Sequence, residues 1–201
     1  MLRSNGAGAV RREATAGASD APVALAHGET PVADPFGEHN VLQVDRVGGP
    51  RILAIDVGTS MGFALATQTY IASGTKSWTE RKDETRGDRL YRFYRWLNAM
   101  RGERLDLVAY ELVRGHGPGQ ILAAHCYAQF EGVLLTWCAR YGIPVRTVHT
   151  GTLKKAITGR GNAKKPDMLA AVRGLGYSPD GHDEADALAV LHCAMTLKAI
   201  E

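Results

Sequence analysis

Hydrophobic positions are scattered without period through residues 1 to 48 and become organised after Arg51. The first stretch is rich in Ala, Gly, Pro and small polar residues. Such a segment buries too little apolar surface to offset the entropy of ordering it, so residues 1–48 are expected to form a disordered tail. From 51 to 57 the chain is apolar on both faces, the pattern of a central strand. Gly58, Thr59 and Ser60 interrupt it. Residues 62–68 and 70–76 read as two further strands with short connections, hence an antiparallel meander.

A helix is expected over 84–101, with Leu90, Phe93, Tyr94 and Leu97 on its inner face and Gly102 as its stop. Residues 105–111 form the fourth strand, and a Gly-rich loop around Gly115–Gly119 follows. Residues 120–141 predict a long helix, with Leu122, Phe130, Val133, Leu134 and Trp137 among its apolar positions. The fifth strand is 143–148. Helices near 151–157, 165–174 and 182–199 complete the chain, with a basic loop at 158–164 between the first two. Three antiparallel strands followed by helical crossovers predict an α/β domain over 49–201. Its mixed five-stranded sheet has three antiparallel strands, then parallel crossovers, and is flanked by helices.

The 201 residues suffice for one domain with a full core. No run of about 18 apolar residues suggests a membrane span, and the N-terminus lacks the apolar core of a secretory signal. Three cysteines without CxxC spacing (Cys126, Cys138 and Cys193) argue against a disulfide framework or a zinc site and for a reducing cytoplasm. Charge is uneven. The first fifty residues hold four basic and six acidic side chains, and the rest hold twenty and fifteen. Between 146 and 173, seven Lys and Arg residues face Asp167 alone. A basic run of this kind is a phosphate-binding candidate or a solvated helix face.

Candidate chemistry lies in four acids. Asp56 closes the first apolar strand, and Glu111 closes the run Leu107-Val108-Ala109-Tyr110. Asp183 and Asp186 lie three apart at the start of the last helix, and so share one face. A carboxylate at a buried strand end is costly unless a cation or donors meet it. Each acid has a plainer reading. Asp56 could cap a tight turn, Glu111 could be an exposed strand end, and Asp183 could serve the helix dipole. Asp186 is harder to explain so, because Ala185, Ala187, Leu188 and Val190 surround it with core-like residues. Asp-Val-Gly-Thr also resembles phosphate-binding turns of actin-like sugar kinases, but the chain is short for two such lobes and the Asp183–Asp186 pair would have no use.

Together the motifs resemble a family. Leu53-Ala54-Ile55-Asp56-Val57-Gly58-Thr59-Ser60, then Gly62-Phe63-Ala64-Leu65, Ala109-Tyr110-Glu111-Leu112-Val113, Glu131-Gly132-Val133, Leu153-Lys154-Lys155, Gly159–Lys165 and Asp183–Ala189 are similar, in this order, to RuvC-type Holliday junction resolvases of the RNase H-like fold. The resemblance covers about 51–197. It implies a Mg²⁺-dependent endodeoxyribonuclease that resolves four-way DNA junctions by paired symmetric nicks, leaving 5′-phosphate and 3′-hydroxyl ends. Asp56, Glu111, Asp183 and Asp186 would hold two Mg²⁺ ions, with Mn²⁺ as substitute. Lys154 and Lys165 match the family's two site lysines. Lys155, Lys164 and Arg160 are expected as accessory DNA contacts. Where the family often has an aromatic residue three after the glutamate, this chain has Arg114, which can grip phosphate or stack on bases.

Paired nicks imply a homodimer. The same setting suggests a bacterial or phage-infected cytoplasm and admits a branch-migration motor as a further partner. The alternative is an RNase H-like nuclease of broader specificity, acting on branched DNA, RNA–DNA hybrid or structured RNA. A DNA-binding module without catalysis would leave the four acids unexplained.

Overall fold

The computed structural model describes residues 35–46, 48–102, 104–113 and 119–196. Six strands form one sheet: β1 (Asn40–Gln43), β2 (Ile52–Asp56), β3 (Ser60–Ala66), β4 (Tyr70–Ser77), β5 (Leu107–Leu112) and β6 (Val145–His149), in the order β1-β4-β3-β2-β5-β6. β1 to β4 are joined antiparallel, and β5 and β6 add in parallel beside β2. Five helices accompany them among the described residues: α1 (Arg86–Arg101), α2 (Ile121–Tyr141), α3 (Thr150–Thr158), α4 (Lys165–Gly174) and α5 (His182–Thr196). This is the expected mixed α/β architecture, with six strands rather than five.

Side chains alternate across the sheet and so build two cores. Leu53, Ile55, Phe63, Leu65, Val108 and Tyr110 meet Phe93, Trp96 and Leu97 of α1 and Phe130, Leu134 and Trp137 of α2. Ile52, Ala54, Ala64, Ala66 and Ala109 meet α5 and α4 on the other face. That second face is lined with small residues. α5 answers with Ala185, Ala187 and Ala189, so helix and sheet approach closely. Gly62 marks the tightest point, because a Cβ built there would collide with the backbone carbonyl of Asp183.

The sixth strand corrects the expected boundary of the tail at residue 48. β1 pairs with β4 through Asn40↔Ser73 to Gln43↔Tyr70. The indole N–H of Trp96 donates to Pro35 O at 2.7 Å, and Val44 N–H donates to Thr69 O at 2.9 Å. Four residues with a mostly exposed face carry no apolar alternation; the free edge of β4 supplies the pairing instead. Residues 1–34 lie outside the described residues. β3 begins at Ser60, two residues before the expected start, so Ser60 is a strand residue facing the last helix rather than part of the turn.

Candidate active site

Parallel pairing of β2 with β5 runs through Ile55↔Tyr110, so the next residues, Asp56 and Glu111, end neighbouring strands side by side. Antiparallel pairing places Gly62 opposite Asp56. With no side chain at that position, the first turn of α5 descends onto β3, and Asp183 and Asp186 arrive beside the two strand-end acids. Two adjoining hollows result. One, of about 220 Å³, is lined by Asp56, Glu111, Thr150, Lys154, Lys165 and Asp186 among others. The second, of about 460 Å³, shares Asp56 and Lys165 and adds Ser60, Asp183, Tyr127 and Leu122. All four candidate acids and both candidate site lysines therefore border one cleft.

The electrostatics are those of crowded like charges. Burial, followed by the carboxylates of Asp186, Glu111 and Asp183, holds the Asp56 carboxyl well above its ordinary range, against a smaller opposing effect of Lys165. Asp186 is pushed up to about 6, chiefly by burial and then by Glu111. Lys165 Nζ stands 3.7 Å from an oxygen of Asp183, a partial neutralisation by one exposed ammonium. Among the described residues, no three carboxylates, imidazoles or thiols are gathered round one point as a closed metal cage. The donor set is nevertheless carboxylate oxygen alone, the chemistry a hard divalent cation prefers. The mutual repulsion is what a bound cation would relieve.

Hydroxyl donors hold the acids in place. Ser60 Oγ donates to Asp183 Oδ2, and Thr150 Oγ1 donates to Glu111 Oε1. Tyr127 Oη donates to the backbone carbonyl of Glu111 at 3.0 Å and receives Val113 N–H at 3.3 Å, and Tyr110 Oη donates to Glu131 at 2.8 Å. Burial pushes the Tyr127 phenol up to about 12 and Tyr110 higher still, so both remain donors at neutral pH. These phenols tie the end of β5 to α2. Pairwise motif reading missed Thr150, Tyr127 and Glu184. Ser60 and Glu184 stand inside the acidic motifs, but nothing in their spacing signals a supporting role.

The remaining candidates separate from this centre. Lys155, Lys164 and Arg160 are exposed and do not line the cleft. Arg160 pairs with Asp167 at 3.6 Å, and Lys164 N–H donates to the same carboxylate at 3.0 Å. Arg114 lies outside the described residues. At the rim, Leu122 is 78% exposed at the start of α2 and lines the larger hollow. No helix among the described residues is long and apolar enough to cross a membrane.

Comparison with known proteins agrees with this arrangement. A family model described as crossover junction endodeoxyribonuclease RuvC matches residues 101–194. The protein of that name from Anaeromyxobacter sp. (strain K) is 44% identical over 72 residues, 35% of this chain and 39% of the relative. Its counterpart from Syntrophomonas wolfei is 37% identical over 109 residues, 52% of this chain and 62% of the relative. The chain thus spans about two-fifths to three-fifths of the length of these relatives. The structure of Thermus thermophilus RuvC in complex with Holliday junction substrate superposes with a TM-score of 0.61 at 25% identity, covering 73% of this chain and 94% of that one. Family model, relatives and structural neighbour all carry the RuvC name, so the chain is similar to RuvC proteins in sequence over its C-terminal half and in its mixed α/β fold.

Proposed function

We propose that the chain is a divalent-metal-dependent endodeoxyribonuclease that resolves four-way DNA junctions by paired symmetric nicks. The observation that carries the reading is the convergence of Asp56, Glu111, Asp183 and Asp186, from three separate stretches of chain, on one cleft with Lys154 and Lys165. These acids would hold two Mg²⁺ ions, or Mn²⁺ in their place, which supply the Lewis-acid charge that activates water and stabilises the departing 3′ oxygen. Asp56, shared by both hollows, is suited to serve both ions. Ser60 and Thr150 orient two of the acids, so little rearrangement of side chains is needed on loading. Lys165 and Lys154 would bind the phosphates that flank the scissile one. Lys155, Lys164 and Arg160 lie further out, where they would grip the junction arms, and Arg114 is a further candidate contact by sequence alone.

No side-chain nucleophile is required, since in-line attack by water needs only positioning and charge. Symmetric nicks on opposed strands need two active sites, hence a homodimer. The T. thermophilus neighbour, bound to Holliday junction substrate, supports junction DNA as the ligand. A second reading, broader cleavage of branched DNA or hybrid duplex, draws on Arg114 standing where the family often has an aromatic wedge.

The test uses full-length protein with Mg²⁺ and four labelled substrates: a four-way junction, a fork, linear duplex and an RNA–DNA hybrid. The expected result is paired symmetric nicks on the junction alone, abolished by Asp56→Asn with junction binding retained. Wild-type cleavage rates in Asp56→Asn would remove that acid from the mechanism, and equal cutting of forks or hybrids would select the broader reading.

A further inference from the structure

Glu184 is a buried acid that the proposed chemistry does not use. It is 1% exposed and lies between Asp183 and Asp186 in the first turn of α5. Successive residues turn about 100° round a helix, so Glu184 faces the sheet edge while its two neighbours face the cleft. There Oε1 accepts from Asn40 Nδ2 at 2.9 Å and from Ser73 Oγ at 2.7 Å, and Oε2 accepts from the backbone N–H of Asp180 at 2.8 Å.

Asn40 and Ser73 are directly opposed across the β1–β4 pair, so both side-chain donors come from one rung of the sheet edge. Asn40 Nδ2 also reaches Asp180 Oδ2 at 3.2 Å. One amide on β1 thereby spans the residues that lead into α5 and the first turn of the helix itself. All of these donors are neutral. A buried carboxylate met only by neutral donors stabilises a fold less than a well-packed apolar residue would. What the arrangement adds is direction, because three donors define the rotation of the helical turn. The turn is restrained elsewhere by Ser60 and Lys165 on the side chain of Asp183, by the contact of its backbone with Gly62 and by the packing of Ala185 and Ala187 on the sheet, and the Glu184 bonds add the polar hold on the side away from the cleft. β1 lies outside the matched residues 101–194 and outside the stretch of sequence resemblance that begins at 51.

We propose that Glu184, held by Asn40 of β1 and Ser73 of β4, is a positioning residue that sets Asp183 and Asp186 for metal capture, which makes the edge strand β1 a working part of the active site. The inference rests on the metal-nuclease reading above.

Asn40→Asp tests it in the full-length protein, because it sets a like charge against Glu184 and Asp180 without opening a cavity. Support bonds of this kind govern metal affinity by factors of about ten or more, so Mn²⁺ affinity measured by calorimetry should fall about tenfold, and the Mg²⁺ needed for half-maximal junction cleavage should rise by about the same factor, while the rate at saturating Mg²⁺ stays within about twofold. The double variant Asn40→Asp/Glu184→Gln reverses the polarity of the latch. The amide introduced at 184 donates to the carboxylate introduced at 40 and to Ser73 Oγ, and its carbonyl still accepts from Asp180 N–H. The like charge at the exposed Asp180 carboxylate persists, so metal affinity should recover most but not all of the loss. A purely structural role predicts instead that metal affinity is untouched in Asn40→Asp, or that the double variant restores melting temperature but not metal binding; either result overturns the proposal. Wild-type protein that binds no Mn²⁺ and cuts no junction would overturn the metal-nuclease reading itself, and the latch with it.

Discussion

Removing Asp186 should make the metal-free protein more stable. Its carboxyl is pushed from 3.8 up to about 6 by burial, then by Glu111. In the fold it therefore binds its proton more tightly than in the unfolded chain. Below about pH 4 both states are protonated and the shift has no effect on stability; as pH rises from about 4 to about 6 the native state resists ionisation and loses stability; above about 6 the full cost is present. Two pH units correspond to about 3 kcal/mol, and partial solvation of Asp186 reduces this to about 2 kcal/mol at pH 7. Asp186→Asn keeps the shape and removes the charge. For a domain of this size about 2 kcal/mol raises Tm by about 4–8 °C. Calorimetry in EDTA would read the gain at pH 7 and again at pH 5, where it should be smaller by about 1 kcal/mol. Saturating Mg²⁺ should then raise the wild-type Tm more than that of the variant, since ligand binding stabilises the state that holds it. An equal gain at pH 5 and pH 7, or a loss of stability in Asp186→Asn, would refute the argument that crowded carboxylates strain this cleft.

Three further substitutions probe how the cleft and the helix beside it are built and used. Gly62→Ala forces a methyl group against the carbonyl of Asp183, and should cost about 3 kcal/mol in urea unfolding together with cleavage activity. Gly132→Ala on the open face of α2, where a Cβ meets nothing within 4 Å, should instead gain about 0.5–1 kcal/mol as glycine leaves a helix. Lys165→Ala removes an exposed ammonium that lines both hollows; binding of the junction should weaken, and the slope of log affinity against log salt should flatten by about one. An unchanged slope would assign Lys165 to holding Asp183 rather than DNA.

Which parts of this molecule could be read from the chain follows from where each determinant lies. β2 was legible because its burial on both faces leaves an uninterrupted apolar run, Ile52 to Ile55. α1 was legible from an inner face at helical spacing and from the stop at Gly102; the capping box at Thr85 and Asp88 that starts it was not read. β1 was not. Its order comes from the open edge of β4 and from Asn40 meeting a carboxylate 144 residues away, and neither leaves a periodic trace. The acids follow the same rule. Asp56, Glu111 and Asp186 stood out because each breaks an apolar context that predicts something else, and Asp183 stood out through its spacing of three from Asp186. Thr150 and Glu184 did not, because a hydroxyl at the head of a helix and an acid in its first turn are what capping alone would select.

The active site is thus assembled by two kinds of information. Charge in the wrong place announces the reactive groups locally. Their spacing is set by features that are locally silent: a missing Cβ at Gly62, small residues under α5, and a carboxylate turned toward the sheet edge. The second kind decides function, since four acids on the same fold with α5 raised by the width of one methyl group would no longer share a cleft. Mutational tolerance should therefore be lowest where the sequence looks plainest, at Gly62, Ala64 and Ala187. There the loss of close approach moves Asp183 and Asp186 together, whereas a change at Lys155 or Arg160 leaves the cleft intact.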